Sequence, residues 1–206
     1  MKKQDNYRLA RDRAAEYFLG FSQEELISRW DLASDSDWIY LQFLCRDYRI
    51  CRKTGQVFRQ ADGSAADFSE ALSIYDLLCH EGAPKTPAGR YAPVNSLGIR
   101  YVGVQTDFHS KSAAWFDRNF ETFLSACHSL GAESLAIGDA GFSFLIFRDR
   151  KVQLKFYRAD EELPAALTLL WDTNTLGFMK YETVFYVAGV LQSLICQQMD
   201  AIATTS

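Results

Sequence analysis

The stretch Gly141–Ile195 limits most tightly what this chain can fold into. Phe142, Phe144 and Ile146 share one face of a strand, and Leu145 and Phe147 share the other. Apolar residues on both faces predict a strand in the interior of a sheet. Asp149-Arg150 is a short polar break suited to a hairpin. The next strand alternates: Val152, Leu154 and Phe156 point one way, and Lys151, Gln153, Lys155 and Tyr157 the other. Arg158 to Pro164 turns the chain again, because proline has no N–H for a ladder and suits a strand start. A third strand then sets Leu167, Leu169 and Trp171 against Thr168, Leu170 and Asp172. After Lys180 the spacing changes to that of a helix burying Val184, Val187, Ala188, Leu191, Leu194 and Ile195.

The rest of the chain supplies the elements that cover such a meander. Asn6–Leu19 reads as a helix stopped by Gly20, and Ser22-Gln23-Glu24-Glu25 is a capping-box pattern for a second helix carrying Trp30. Trp38–Cys45 and Tyr48–Arg52 read as strands, and Thr54-Gly55 as a hairpin turn back through Phe58. Ser69 is placed to cap a helix burying Leu72, Tyr75, Leu78 and Cys79. Ala83–Pro93 holds three of the four prolines and is the best candidate for a boundary or a rim. Ile99–Val104 reads as a strand, and Ser112–Leu130 as one helix ended by Gly131.

Strands that cluster rather than alternate with helices predict an α+β fold. The expected form is a mainly antiparallel sheet of hairpins with a C-terminal three-stranded meander, packed with about five helices. Residues 1–36 are expected to form a helical lobe on the main domain, and residues 37–206 a single α+β domain.

The totals exclude several classes of function. A formal net charge of −4 lacks the basic excess expected of a nucleic-acid partner. No apolar run reaches the roughly 18–20 residues needed to span a bilayer, and MKKQDNYRLARDR has no apolar core of a secretory leader. Five cysteines without paired spacing read as reduced, mostly buried thiols. A cytoplasmic location is therefore expected.

Candidate chemistry is sparse. Asp160, Glu161 and Glu162 share a turn, with Asp172 at the end of the following strand. Carboxylate oxygens suit a divalent cation such as Mg²⁺ or Ca²⁺, or general acid–base work. The plainer reading is a solvated hairpin tip, with Asp172 capping the turn at Asn174. Cys79-His80 and Cys127-His128 offer zinc-ligand types, but neighbours on a helix point about 100° apart. A histidine near a helix C-terminus also has an ordinary electrostatic reason to be there. Gly138-Asp139-Ala140-Gly141 lacks the lysine and following helix of a phosphate loop and reads as a sharp turn into the sheet. Trp115 falls off the apolar stripe of its helix and could mark a partner surface.

The segment from Asp160-Glu161-Glu162-Leu163-Pro164 through Asp172 to Lys180-Tyr181-Glu182 resembles the closing signature of an uncharacterised bacterial and archaeal domain family, common in anaerobes. Phe43-Leu44-Cys45-Arg46-Asp47-Tyr48-Arg49 with Gly55, and Gly138-Asp139-Ala140, are similar to its other blocks, so the resemblance covers about Asp37 to Ile195. Tyr181 stands where the family usually has proline. Some members carry an added iron–sulfur module of the kind found in corrinoid and one-carbon enzymes, and these 206 residues show no four-cysteine pattern of that kind. The resemblance, with the missing catalytic motif, implies a non-catalytic cytoplasmic binding or accessory module linked to such metalloenzymes and open to a protein partner. A metal-dependent enzyme using the acidic turn, and a small-ligand binder under the Ala83–Pro93 loop, are the alternatives.

Overall fold

Hairpins between neighbouring strands account for most of the sheet pairing in this α+β protein. A computed structural model describes residues 2–82, 86–98 and 107–205. In chain order the elements begin with α1 (Lys2–Leu19), α2 (Gln23–Trp30), β1 (Ala33–Ser34), β2 (Trp38–Phe43), β3 (Arg46–Cys51), β4 (Val57–Arg59) and α3 (Phe68–Cys79). There follow β5 (Tyr91–Pro93), α4 (Asp107–Arg118), α5 (Phe120–Ser129) and β6 (Glu133–Leu135). The last are β7 (Ala140–Phe147), β8 (Arg150–Tyr157), β9 (Ala166–Asp172) and α6 (Tyr181–Thr205).

The chain divides into two compact units. The first is Met1–Thr86 with Leu176–Val190, and the second is Pro87–Thr175 with Leu191–Ser206. The first division falls inside the proline-rich Ala83–Pro93 stretch, and α6 gives its first ten residues to one unit and the rest to the other.

In the first unit an antiparallel sheet runs in the order β1-β2-β3-β4. Its register opposes Ile39 to Ile50 and Leu41 to Tyr48, so one face is buried and carries Ile39, Leu41, Phe43, Tyr48, Ile50 and Val57. The opposite face holds Trp38 and Arg49, whose guanidinium lies 4.2 Å from the indole centroid. The β2–β3 link is Leu44-Cys45, with φ of 45° and 57°, a place where Asn-Gly is usual. Leu44 is fully buried, and that burial offsets the backbone cost. The sequence carries no turn residue there, which is why the strand read as running on to Cys45.

Glu70 ties this unit together although it is only 1% exposed. Its Oε1 accepts from the Tyr48 hydroxyl at 2.8 Å, from Arg59 Nε at 3.1 Å and from Arg46 Nη1 at 3.3 Å. Its Oε2 accepts from Arg59 Nη2 at 2.6 Å and from the Asp67 backbone N–H at 2.8 Å. Asp67 in turn accepts the Glu70 N–H, completing a capping box two residues before the Ser69 cap expected from the sequence. Burial, and then the Glu70 charge, push the Tyr48 phenol up, so it stays protonated and donates. Around this lock α1 lies on α3 through Tyr7–Phe68 and Phe18–Tyr75 ring contacts. Gly55, at φ +71°, lets α1 approach: a Cβ there would meet the Ala15 carbonyl oxygen at 2.9 Å.

The second unit contains the expected meander inside a sheet of order β5-β9-β8-β7-β6. Phe142↔Leu154↔Leu169 and Phe144↔Val152↔Trp171 line up across three strands on its buried face. Phe123 covers them, with its ring 5.2 Å from Phe156 and 5.9 Å from Phe142. A register shift between Leu145 and Phe147 breaks the alternation, so Leu145 is 41% exposed while Phe147 is buried. The single helix expected over Ser112–Leu130 is two, because Asn119 leaves helical geometry at φ −121°, ψ 44°. Tyr91–Pro93, read as loop, pairs with β9 as an edge strand. The strand expected at Ile99–Val104 lies outside the described residues.

Removing the Glu70 carboxylate strands partly buried cations, which reach some solvent and so place the cost at the lower end for a broken buried pair. Glu70→Ala is expected to cost about 3 kcal/mol, read as a lower urea midpoint with an unchanged slope.

Candidate functional site

The four carboxylates singled out in the sequence do not come together. Tyr157 pairs with Ala166 and Val152 with Trp171, so the acidic turn and Asp172 sit at opposite ends of β9. Six residues of strand put about 20 Å between them. Asp160 uses Oδ1 to accept the N–H groups of Glu162 at 2.9 Å and Leu163 at 2.7 Å, and those two bonds hold its carboxyl below the usual range. The turn leaves Leu163 66% exposed at its tip. Asp172, fully buried, accepts three backbone N–H groups: Ala88 at 2.9 Å, Gly89 at 2.7 Å and Asn174 at 2.8 Å. Its charge is matched by amides of the chain itself, and it moors residues 88–89 to the sheet.

The Gly138-Asp139 turn is also occupied by backbone. A Cβ at Gly138, whose φ is +65°, would collide with the Phe156 carbonyl oxygen. Asp139 Oδ2 accepts the Arg158 N–H at 2.8 Å, and the Arg158 side chain reaches Asp117 at 3.0 Å. His128 stands exposed, its ring edge-on to Phe142 at 5.3 Å, above a buried Cys127. Trp115 is half-buried against Phe116. Among the described residues no group of three His, Cys, Asp or Glu side chains could hold a metal ion. Of the five cysteines, all free, only Cys79 and Cys127 are buried, fewer than the sequence suggested.

The site with converging chemistry lies in the first unit, at the C-terminal end of α3. Helical spacing puts Leu72, Tyr75, Asp76, Cys79 and His80 along one side, where they line a cleft of about 350 Å³ with Tyr17 of α1 and Lys180. Such a volume is at the lower end of small-molecule sites. The Tyr75 hydroxyl donates to the Gly55 carbonyl at 2.7 Å, which fixes the ring. Tyr17 is 56% exposed at the rim, and Lys180 Nζ lies 5.8 Å from its centroid.

Asp76, 8% exposed, is the centre of the cleft. Its Oδ2 accepts the Lys180 N–H and the Thr183 hydroxyl, both at 2.6 Å, so it caps the start of α6 from another helix. Its Oδ1 faces His80 Nδ1 at 3.5 Å and Lys180 Nζ at 3.9 Å. The other His80 nitrogen, Nε2, is 3.3 Å from the Leu176 carbonyl oxygen. Gly82 is packed so close that a Cβ there would displace the imidazole. Burial, and then the Asp76 charge, push the Cys79 thiol up to about 12. Such a thiol carries almost no thiolate at neutral pH.

The sequence reading named Cys79-His80 only as neighbouring zinc-ligand types that point about 100° apart. The usable signal was Asp76 and His80 at i, i+4 on one helical face. Lys180, 104 residues from Asp76, left no local trace.

A family model described as a domain of unknown function, DUF3786, matches residues 23–193. No curated protein and no solved structure matches the chain.

Two measurements check these placements. In Asp172→Ala the Ala88, Gly89 and Asn174 amides are expected to lose hydrogen-exchange protection selectively, with about 2–3 kcal/mol of stability lost. In alkylation followed from pH 7 to 9, Cys51 should react well before Cys79 and Cys127. Burial acts against Cys51, but the Thr54 hydroxyl and the Thr54 and Lys53 amides outweigh it and lower its thiol. Burial raises the other two, so their thiolates form only at higher pH.

Proposed function

The chain belongs to the DUF3786 family, and on that premise we propose that it is a binding module without catalytic chemistry of its own. Its binding element is the cleft between Tyr17, Tyr75, Asp76, His80 and Lys180. One observation carries this reading. The cysteine lining the cleft is held as a thiol by burial, and His80 Nε2 lies 3.3 Å from the Leu176 carbonyl oxygen. These groups are arranged to hold a molecule rather than to attack one.

We place the module in the cytoplasm of an anaerobic bacterium, as an accessory to iron–sulfur or one-carbon metalloenzymes. Five free cysteines suit a reducing compartment. The metalloenzyme setting is supported by the family resemblance at the Asp160–Pro164, Gly138–Ala140 and Phe43–Arg49 blocks. Among the described residues no helix is long and apolar enough to cross a membrane.

Native mass spectrometry of protein purified anaerobically tests the reading. A non-covalent organic adduct is expected on the wild-type chain and not on Tyr17→Ala. Bare chain mass in both, from native as well as recombinant sources, would count against a small-molecule site in the cleft.

A further inference from the structure

We infer that the cleft takes a small organic ammonium, with Asp76 Oδ1 as its acceptor. This rests on the reading of the cleft as a binding site and goes on to name the class of ligand. The two oxygens of Asp76 are used unequally. Oδ2 is satisfied by two donors at 2.6 Å. Oδ1 has its two cation-capable neighbours at 3.5 and 3.9 Å, beyond the range of a good charge-assisted hydrogen bond. A carboxylate more than nine-tenths buried thus keeps acceptor capacity on the oxygen that faces His80 and Lys180, two residues lining the cleft.

Lys180 shows what fits there. Its ammonium sits loosely by Oδ1, within cation–π distance of the Tyr17 ring, while 61% of its side chain is exposed. A four-carbon stem ending in an ammonium is therefore an internal stand-in for the ligand. An incoming amine would take a shorter bond to Oδ1 and lay its apolar body along Leu72 and the Tyr75 ring, and the Lys180 head would move to water. Glu81 adds a second negative charge at the rim, and His80 and Lys180 are the cation-capable groups that oppose it. Volume limits the guest to about a dozen water-sized groups.

Isothermal titration of the full chain with n-butylammonium, butyrate and 1-butanol, at low and high salt, tests the assignment. Only butylammonium should bind, more weakly as salt rises. Lys180→Met removes the competing head but keeps the backbone N–H that Asp76 accepts, and should tighten butylammonium at least threefold. Asp76→Asn should weaken it tenfold or more, in protein shown by circular dichroism to be folded. Since Asp76 also caps α6, the Lys180→Met arm decides if Asp76→Asn does not fold. Binding of butyrate in preference to the amine, unchanged or weaker amine binding in Lys180→Met, or no heat from any probe would overturn the ammonium assignment. The binding-module reading would still stand or fall on the adduct experiment.

Discussion

A buried carboxylate with five donors on it is the constraint on which the first unit depends. Glu70 reaches two strands and caps its own helix, so α3 cannot shift along the sheet without leaving cations and a phenol unpaired. Hydrophobic burial alone would not select one register for α3, because apolar contact has no direction. The hydrogen-bond lock selects one. Since α3 carries Tyr75, Asp76 and His80, that choice also sets where the cleft opens.

The same use of acidic side chains recurs through the molecule. Asp67 and Asp76 serve helix starts, Asp139 and Asp172 hold strand ends and loops, and Asp35 accepts two amides and the Tyr40 hydroxyl. Each receives its positive partner from the backbone or a neighbouring side chain. A net charge of −4 is consequently a poor guide to what the protein binds. The conspicuous acidic run at 160–162 closes its own turn, whereas the carboxylate of most interest, Asp76, stands alone in the sequence between apolar residues.

The fold was legible where periodicity was strong. The meander and the C-terminal helix could be read because β7 is apolar on both faces, β8 alternates strictly over eight residues and α6 keeps helical spacing. Reading failed where a tertiary contact overrode local preference. Buried Leu44 accepts left-handed geometry that its type disfavours, and Asn119 splits a helix whose apolar stripe runs on without a break. Among the described strands only the β5–β9 pairing joins segments far apart in the chain, and no local window contains it. The cleft was half legible. Its α3 side follows from i, i+4 spacing, but Tyr17 and Lys180 arrive from opposite ends of the chain.

The interleaving of the two units bears on how the protein is made. Met1–Thr86 cannot complete its core until Leu176–Val190 has been synthesised. At ribosomal speeds that wait of roughly 90 residues lasts on the order of 5–20 s. During it the Asp76 carboxylate has neither the Lys180 amide nor the Thr183 hydroxyl, and the end of α3 is without the residues that later cover it. Until then the nascent chain leaves open to proteases and to aggregation the place where the finished protein has its cleft.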